Sequence, residues 1–119
     1  MNSFRELTVW QRSVELVAEV YILTKKFPKE EMFGLTSQMR RAAASIPANI
    51  AEGYARKHRR EYVQFLRIAF GSGAELESHI AVAQKLEFLG ISDSKSVESL
   101  LDETMRMLNK FIATLVAKP

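Results

Sequence analysis

The sequence of 119 residues contains no cysteine. This absence excludes a disulfide framework, a thiolate nucleophile and a thiolate metal site. Stability must therefore come from packing alone, and a reducing cytoplasm is the location that we expect for such a chain.

Long apolar runs are absent as well. No stretch approaches the roughly 18 apolar residues that a membrane-spanning helix needs. The first residues, MNSFRELTVWQ, carry charge where a signal peptide would place its apolar region. We therefore expect neither membrane insertion nor export.

Length and composition are those of one globular domain. A chain of 119 residues can bury a single core, so we predict one domain over residues 1–119. Apolar residues make up 47% and charged residues 26%, which is typical of a folded chain and too hydrophobic for a disordered one. The net charge of +3 permits an acidic partner without requiring one.

Apolar residues recur at helical spacing along almost the whole chain, and alternating, strand-like runs are absent. The pattern predicts four helices, at about residues 8–26, 35–54, 59–89 and 95–117. Short connections between four such helices favour neighbours that run in opposite directions. The predicted fold is therefore all-α, an antiparallel up-and-down four-helix bundle.

The first two helices each carry a distinctive feature. Two apolar stripes on the first helix predict two buried faces. Pro28 is predicted to end this helix, and Pro47 lies inside the second, where its ring would clash with the Ala43 carbonyl, so we expect a kink or a local break. The stripes of the first helix are Leu7, Trp10, Val14, Val17 and Tyr21, and Val9, Leu16, Val20, Leu23 and Phe27.

The third and fourth helices carry regular apolar seams with alternating spacings of four and three residues. Gly90 is predicted to end the third helix, and Ser92 or Ser94 to cap the fourth. The seam residues are Tyr62, Leu66, Ala69, Gly73, Leu76, Ile80 and Ala83 in the third helix, and Val97, Leu101, Thr104, Leu108, Phe111 and Leu115 in the fourth.

Neither histidine belongs to the motif of the di-iron bundles. Those proteins use Glu-x-x-His pairs, but Ala55 and Leu76 stand three residues before His58 and His79. His58 lies in a basic run, where contact with solvent or phosphate is a better interpretation than general base catalysis. We expect no catalytic residue and no cofactor.

Glu75 and His79 lie one turn apart on a helix and, with Glu77, would form at best a weak site for a divalent ion. A solvated helix face is the favoured interpretation of these three residues. We therefore expect no metal.

The segment Gly71-Ser72-Gly73 resembles part of a phosphate-binding turn. It lies within the heptad pattern, however, and lacks the preceding strand and the third glycine of such a turn. The favoured interpretation is that Gly73, on the seam of the third helix, allows another helix to approach closely.

Basic residues are concentrated in the middle of the chain. Between residues 40 and 60 six cations stand against one acid, for a local charge of +5, while the remainder sums to −2. Residues 56–60 are predicted to form the exposed turn between the second and third helices, where long cations can reach phosphates. They are equally compatible with a solubilised turn that satisfies helix C-terminal carbonyls. The candidate nucleic-acid-binding residues are Arg40, Arg41, Arg56, Lys57, Arg59 and Arg60.

The second helix also carries a polar stripe opposite its apolar face. This stripe can face solvent or pair with the same stripe of a neighbouring subunit, and Ser45 or Asn49 can supply a hydrogen bond near Pro47. Packing is favoured over catalysis because no base, nucleophile and orienting residue converge in the sequence. The stripe consists of Gln38, Arg41, Ser45, Asn49, Glu52 and Arg56.

Several of these motifs together resemble a bacterial four-helix bundle family that includes the proteins encoded in intervening sequences of 23S ribosomal RNA genes. The most specific are SIPANIAEG, at residues 45–53, and GSGAELE, at residues 71–77. Supporting positions are Trp10, Phe27-Pro28, Glu31, Gly34-Leu35, Gln38 and Arg40-Arg41-Ala42.

The resemblance implies an antiparallel four-helix bundle that assembles into a ring-like homopentamer. The chain is also similar to the accessory proteins of diversity-generating retroelements, which are basic pentamers that bind nucleic acid and a reverse transcriptase. Carried onto this sequence, the resemblance implies nucleic-acid contacts by the six candidate cations named above.

The leading functional hypothesis is a non-enzymatic homo-oligomer, a pentamer, that contacts the phosphate backbone of RNA or DNA through a basic surface. The alternative is a scaffold that binds a protein partner and uses its charge only to steer the encounter. An enzyme is disfavoured, since the sequence lacks cysteine, paired histidines and a phosphate-cradling loop.

Overall fold

Four long helices make up most of residues 2–119, which are the residues that the computed structural model describes. They are α1 (Thr8–Thr24), α2 (Leu35–Arg56), α3 (Arg59–Lys85) and α4 (Lys95–Val116). Short 3₁₀ helices at Phe4–Glu6, Lys29–Glu31 and Ile91–Ser94 precede α1, α2 and α4. The predicted starts are confirmed for all four helices.

Each helix packs against two neighbours, α1 and α3 both lying against α2 and α4. The bundle measures 48 × 21 × 20 Å, so its long axis is the helix direction. Short connections make successive helices antiparallel, which confirms the predicted up-and-down bundle. One end of the bundle, called the turn end below, holds the start of α1, residues 57–58 and the end of α4. The opposite end holds residues 25–34 and 86–94.

The core follows the apolar seams closely. In α3, six of the seven predicted seam residues are buried, and only Tyr62 remains partly exposed. The buried side chains of α4 include all the predicted seam residues except Phe111. The α1 residues buried in the core are Val9, Leu16, Val20 and Leu23.

The prediction that both faces of α1 are buried is wrong for the single chain. The stripe that begins at Leu7 is only partly covered, with Val14 39% and Tyr21 43% exposed. The reason is geometric, because α1 has only α2 and α4 as helical neighbours and its outer face has no helix against it. The Tyr21 ring is covered instead by the guanidinium of Arg40, at 4.4 Å from the ring centroid.

Helix α2 is continuous through Pro47, so of the two predicted alternatives the local break is wrong, while the kink stays a prediction. The predicted hydrogen bonds beside the proline are present. The amide of Asn49 donates to the carbonyl oxygen of Ser45 at 2.8 Å and to its hydroxyl at 2.9 Å. The hydroxyl of Ser72 in α3 donates to the Ser45 hydroxyl at 2.9 Å. These bonds and the packing of α2 on α3 hold the helix together where Pro47 removes one main-chain donor.

Helix α3 ends at Lys85, four residues earlier than the sequence pattern predicts. Glu87 adopts the left-handed conformation, with φ of 64°. The Phe88 N–H then donates to the Ala83 carbonyl at 2.9 Å, and the Glu87 N–H to Gln84 at 3.1 Å, the pattern of a Schellman motif. Gly90 follows with φ of −77°, so the prediction that it ends the helix is wrong.

Replacing Glu87 with glycine is expected to raise the free energy of unfolding by about 0.5–1 kcal/mol, because glycine adopts the left-handed conformation without the steric penalty of a side chain. The matched control is Glu77→Gly, an exposed glutamate inside α3, where glycine should cost about 1 kcal/mol. Urea denaturation measures both. Equal destabilisation by the two variants would contradict this account of the helix end.

Ser94 is one of the two residues predicted to cap α4. It directly precedes the helix, but its side chain makes no capping hydrogen bond. The Ser94 hydroxyl donates to the Glu98 carboxylate at 2.6 Å and accepts from the Gln84 amide at 2.8 Å. Its role is therefore to join the end of α3 to the start of α4.

Two glycines set the spacing between helices. A Cβ atom on Gly53 would lie 2.9 Å from the Cβ of Phe65 and 2.9 Å from the Cδ1 of Tyr62, both in α3. A Cβ on Gly73 would overlap the sulfur of Met105 in α4. Gly73 therefore makes room for the Met105 side chain of α4, while a close approach of the α4 main chain stays a prediction. Gly71, by contrast, has open space where a Cβ would be.

Candidate nucleic-acid interface

The six candidate cations fall into two groups in the structure. Arg40 and Arg41 lie in the first half of α2, whereas Arg56, Lys57, Arg59 and Arg60 lie at the turn end. Sixteen helical residues at 1.5 Å each separate Arg40 from Arg56 by about 24 Å along the helix axis. The cations that lie together in the sequence therefore do not form one patch in space, because the long helix α2 separates the two groups.

Arg40 is held against α1 and is only half-exposed. Its Nε donates to the Thr24 hydroxyl at 2.8 Å, while its guanidinium stacks on Tyr21. These contacts join α1 to α2, so Arg40 has a structural task that its position in the sequence does not indicate. Arg41, the next residue, is exposed.

Arg56 is partly neutralised. Its guanidinium forms ion pairs with Glu52 at 3.3 Å and Glu61 at 3.7 Å. It also lies over the Phe65 ring, 5.1 Å from the centroid. Since the side chain remains 46% exposed, its charge still faces solvent. The two ion pairs make this charge less available to a ligand than the charges of Lys57 and Arg60.

Lys57, Arg59 and Arg60 are exposed at the turn end. The turn itself is shorter than predicted and consists of Lys57, in the left-handed conformation with φ of 62°, and His58. Within residues 2–119, Lys57 and Arg60 form no ion pair, and Arg59 donates to the main-chain oxygen of Pro119 at 2.9 Å. Together with the exposed Arg41, these three side chains are more available than Arg40 and Arg56.

Arg59 and Arg60 occupy the first turn of α3, where the helix dipole favours acids and disfavours cations. The residue before the helix, His58, makes no side-chain hydrogen bond to the first main-chain N–H groups. Arg56, in contrast, occupies the last turn of α2, where a cation is favourable. Satisfaction of helix C-terminal carbonyls therefore accounts for Arg56 but not for Arg59 and Arg60, whereas solubilisation of the turn stays compatible with all three exposed cations.

A cleft of about 430 Å³ opens at the turn end. Its basic residues are Lys57, His58, Arg59 and Lys118. Sequence reasoning missed Lys118 because it lies 58 residues beyond Arg60, the last residue of the cluster, although an up-and-down bundle brings the end of α4 beside the α2–α3 turn. The apolar walls of the cleft come from Tyr54, Tyr62 and Leu115.

Tyr62 lines this cleft, and its hydroxyl is buried and has no hydrogen-bond partner within residues 2–119. Its ring packs edge-on against Phe111 at 5.3 Å and against Tyr54 at 6.3 Å. Burial, with a smaller effect of Tyr54, raises the pKa of Tyr62 to about 12. At neutral pH the hydroxyl is therefore protonated and can donate a hydrogen bond.

The residues predicted to form at best a weak metal site lie on α3. Glu75 and His79 are in contact at 3.3 Å, but no group of three potential metal ligands occurs within residues 2–119.

Sequence reasoning missed an apolar patch at the opposite end, called the Phe33 patch below, in which Phe33 is 97% exposed. The patch consists of Tyr21, Met32 and Phe33.

No helix of residues 2–119 has the length and apolar character needed to cross a bilayer. Comparison with curated proteins finds no match. A crystal structure from Bacteroides thetaiotaomicron, described as a protein with unknown function from the S23 ribosomal protein family, has a similar fold with a TM-score of 0.79. The two chains are 22% identical, and the match covers 88% of this chain and 98% of the other.

The 23S rRNA-intervening sequence protein family matches over residues 5–110. This range includes all of α1, α2 and α3 and most of α4. It also contains the turn end cations other than Lys118. The chain therefore belongs to the 23S rRNA-intervening sequence protein family.

Proposed function

We propose that this protein is a non-enzymatic, cytoplasmic homopentamer whose exposed cations bind the phosphate groups of RNA or DNA. The observation that carries the proposal is the position of Arg59 and Arg60. Two exposed arginines in the first turn of α3 oppose the helix dipole, so local stability does not account for them. The uncapped N-terminus of α3 and the unpaired Lys57 add to an environment suited to anions.

Assembly strengthens the effect of a modest charge. One chain carries +3, so five copies carry +15 and present the turn end five times. Binding to phosphates releases condensed counterions, so the affinity should fall steeply with salt and depend little on sequence. Light scattering tests the assembly directly, with five 13.5 kDa subunits as the expected mass.

The variant Arg59→Glu/Arg60→Glu is expected to move stability and binding in opposite directions. Placing acids in the first turn of α3 should raise the free energy of unfolding by a few tenths to about 1 kcal/mol. The affinity for a labelled oligonucleotide should fall at least about tenfold, because two cations that contact phosphates are replaced with acids that repel them. Thermal unfolding and fluorescence anisotropy at low salt measure the two quantities.

The matched control is Arg67→Glu, which changes an exposed arginine two turns further along α3. It should leave stability nearly unchanged and weaken binding less per charge reversed. If the double variant bound as tightly as the native protein, or lost stability, the two arginines would be structural and the proposal would fail.

The Phe33 patch favours a second candidate function, a scaffold that binds a protein partner. A phenylalanine that is 97% exposed beside Met32, itself 48% exposed, is costly in water and typical of a contact surface. A protein partner that co-purifies at high salt and is lost on Phe33→Ser would support this candidate. A partner retained by the Phe33→Ser variant would count against it.

A further inference from the structure

We propose that the cleft at the turn end binds the phosphorylated terminus of a nucleic-acid strand, with the terminal phosphate against the cations and the terminal nucleoside against the tyrosine rings. The proposal rests on the function proposed above and names the part of the ligand that the cleft selects. It is argued from the charge, the walls and the unpaired donor of the cleft.

The charge of the cleft favours a phosphate monoester. Lys57, Arg59 and Lys118 line it, and no acidic side chain does. An internal phosphodiester carries a single negative charge, whereas a terminal monoester with a second pKa near 6 carries about −1.5 to −2 at neutral pH. Three cations around one cleft therefore attract a strand terminus more strongly than a strand interior.

Donors for phosphate oxygens are already oriented there. Arg59 donates to the main-chain oxygen of Pro119 at 2.9 Å, so its guanidinium is placed to serve an oxygen acceptor at this position. The first N–H groups of α3 lack a side-chain cap from His58. A phosphate at the mouth of the cleft would replace the Pro119 oxygen and meet the positive end of the α3 dipole.

The walls of the cleft suit a nucleoside. Leu115 and the rings of Tyr54 and Tyr62 give an apolar surface on which a base can pack, and aromatic rings accept any base. A volume of about 430 Å³ lies within the usual range of small-molecule sites. The cleft therefore offers room for one terminal nucleotide.

The Tyr62 hydroxyl supplies the observation that is hardest to explain by packing. A buried hydroxyl without a partner destabilises the fold, and phenylalanine would pack against Phe111 and Tyr54 without that cost. A ligand that shifts the cleft walls and reaches this buried oxygen would supply the missing acceptor.

Three other clefts, of about 360, 450 and 440 Å³, lack this combination. The cleft of about 440 Å³ has a single cation, Lys110. The cleft lined by the Phe33 patch has only two cations, Arg40 and Arg41, and the Arg40 guanidinium is stacked on Tyr21. The cleft between α3 and α4 is lined by Glu77, Glu98 and Asp102, which would repel a phosphate. The turn end is therefore the cleft best suited to an anionic nucleotide.

The test compares one labelled single-stranded oligonucleotide in three forms, with a 5′-phosphate, with a 3′-phosphate, or with hydroxyls at both ends. The native protein should bind one phosphorylated form about tenfold more tightly than the hydroxyl form, as expected for added charge-assisted hydrogen bonds. Which form is preferred identifies the polarity of the bound strand. Equal affinity of all three forms would overturn this inference and leave the proposed function standing, whereas no binding of any form would overturn both.

Variants assign the preference to the cleft. Tyr62→Phe and Lys118→Ala should each reduce the ratio of phosphorylated to hydroxyl affinities at least about threefold, while Lys110→Ala, an exposed lysine of α4 outside the cleft, should leave it unchanged. Tyr62→Phe should also keep or raise the thermal stability, since it removes an unpaired hydroxyl. A preference that survives both cleft variants would place the terminus elsewhere and overturn the assignment.

Discussion

Replacing Arg56, Lys57, Arg59 and Arg60 together with glutamate is expected to lower the affinity for RNA or DNA by about 100-fold or more at low salt. The change removes every turn end cation named above except Lys118, and it places repulsive charges on that surface in each subunit of the assembly. Filter binding or fluorescence anisotropy measures the loss, and a native circular dichroism spectrum shows that the bundle is intact.

The matched control reverses Lys25, Lys29, Lys85 and Lys95, four exposed lysines of the opposite end that form no ion pair within residues 2–119. Net charge changes by the same amount in both variants, so the comparison separates a located site from a general charge effect. The control should lose less than about tenfold, because charges beyond a Debye length of about 10 Å are largely screened. Equal losses in the two variants would show that the turn end is not the binding surface.

Gly53→Ala is expected to lower the free energy of unfolding by about 1–3 kcal/mol, because a new methyl group would be forced against α3. The added methyl group would meet the Cβ of Phe65 and the Cδ1 of Tyr62, both at 2.9 Å, and the Tyr62 carbonyl oxygen at 3.3 Å. All three atoms belong to the main chain of α3 or lie near it. A change of rotamer can move the Tyr62 ring, but it moves neither the Phe65 Cβ nor the Tyr62 carbonyl oxygen, so the two helices must separate.

Gly71→Ala is the control for helix propensity, since open space surrounds the added methyl group. It should raise stability by up to about 1 kcal/mol, the usual advantage of alanine over glycine inside a helix. Chemical denaturation of the two variants should therefore give changes of opposite sign. Stabilisation by Gly53→Ala would mean that α2 and α3 are not in the close contact described above.

Most of the fold was predictable from the sequence because apolar spacing determines which residues of a helix can be buried together. The α3 seam from Leu66 to Ala83 and the starts of the helices follow from that spacing alone. The end of α3 does not, since a glutamate takes the left-handed position that glycine usually occupies. Likewise, the spacing on α1 does not reveal that no helix covers the stripe containing Val14.

The candidate site was predictable only in part. Composition identified the basic residues, but the rise of α2 separates Arg40 from Arg56, and no charge count reveals the bond from Arg40 to Thr24. Lys118 joins the turn end through tertiary structure. Residue spacing also does not specify that the hydroxyl oxygen of Tyr62 is buried and lacks a hydrogen-bond partner.

The salt dependence of nucleic-acid binding tests the central claim most directly. The logarithm of the binding constant, measured between about 50 and 200 mM salt, should fall with the logarithm of salt concentration with a slope of about −3 or steeper, since duplex DNA contributes about −0.9 per neutralised phosphate. A slope near zero, or no detectable binding to RNA, duplex DNA or single strands at the lowest salt, would contradict the account.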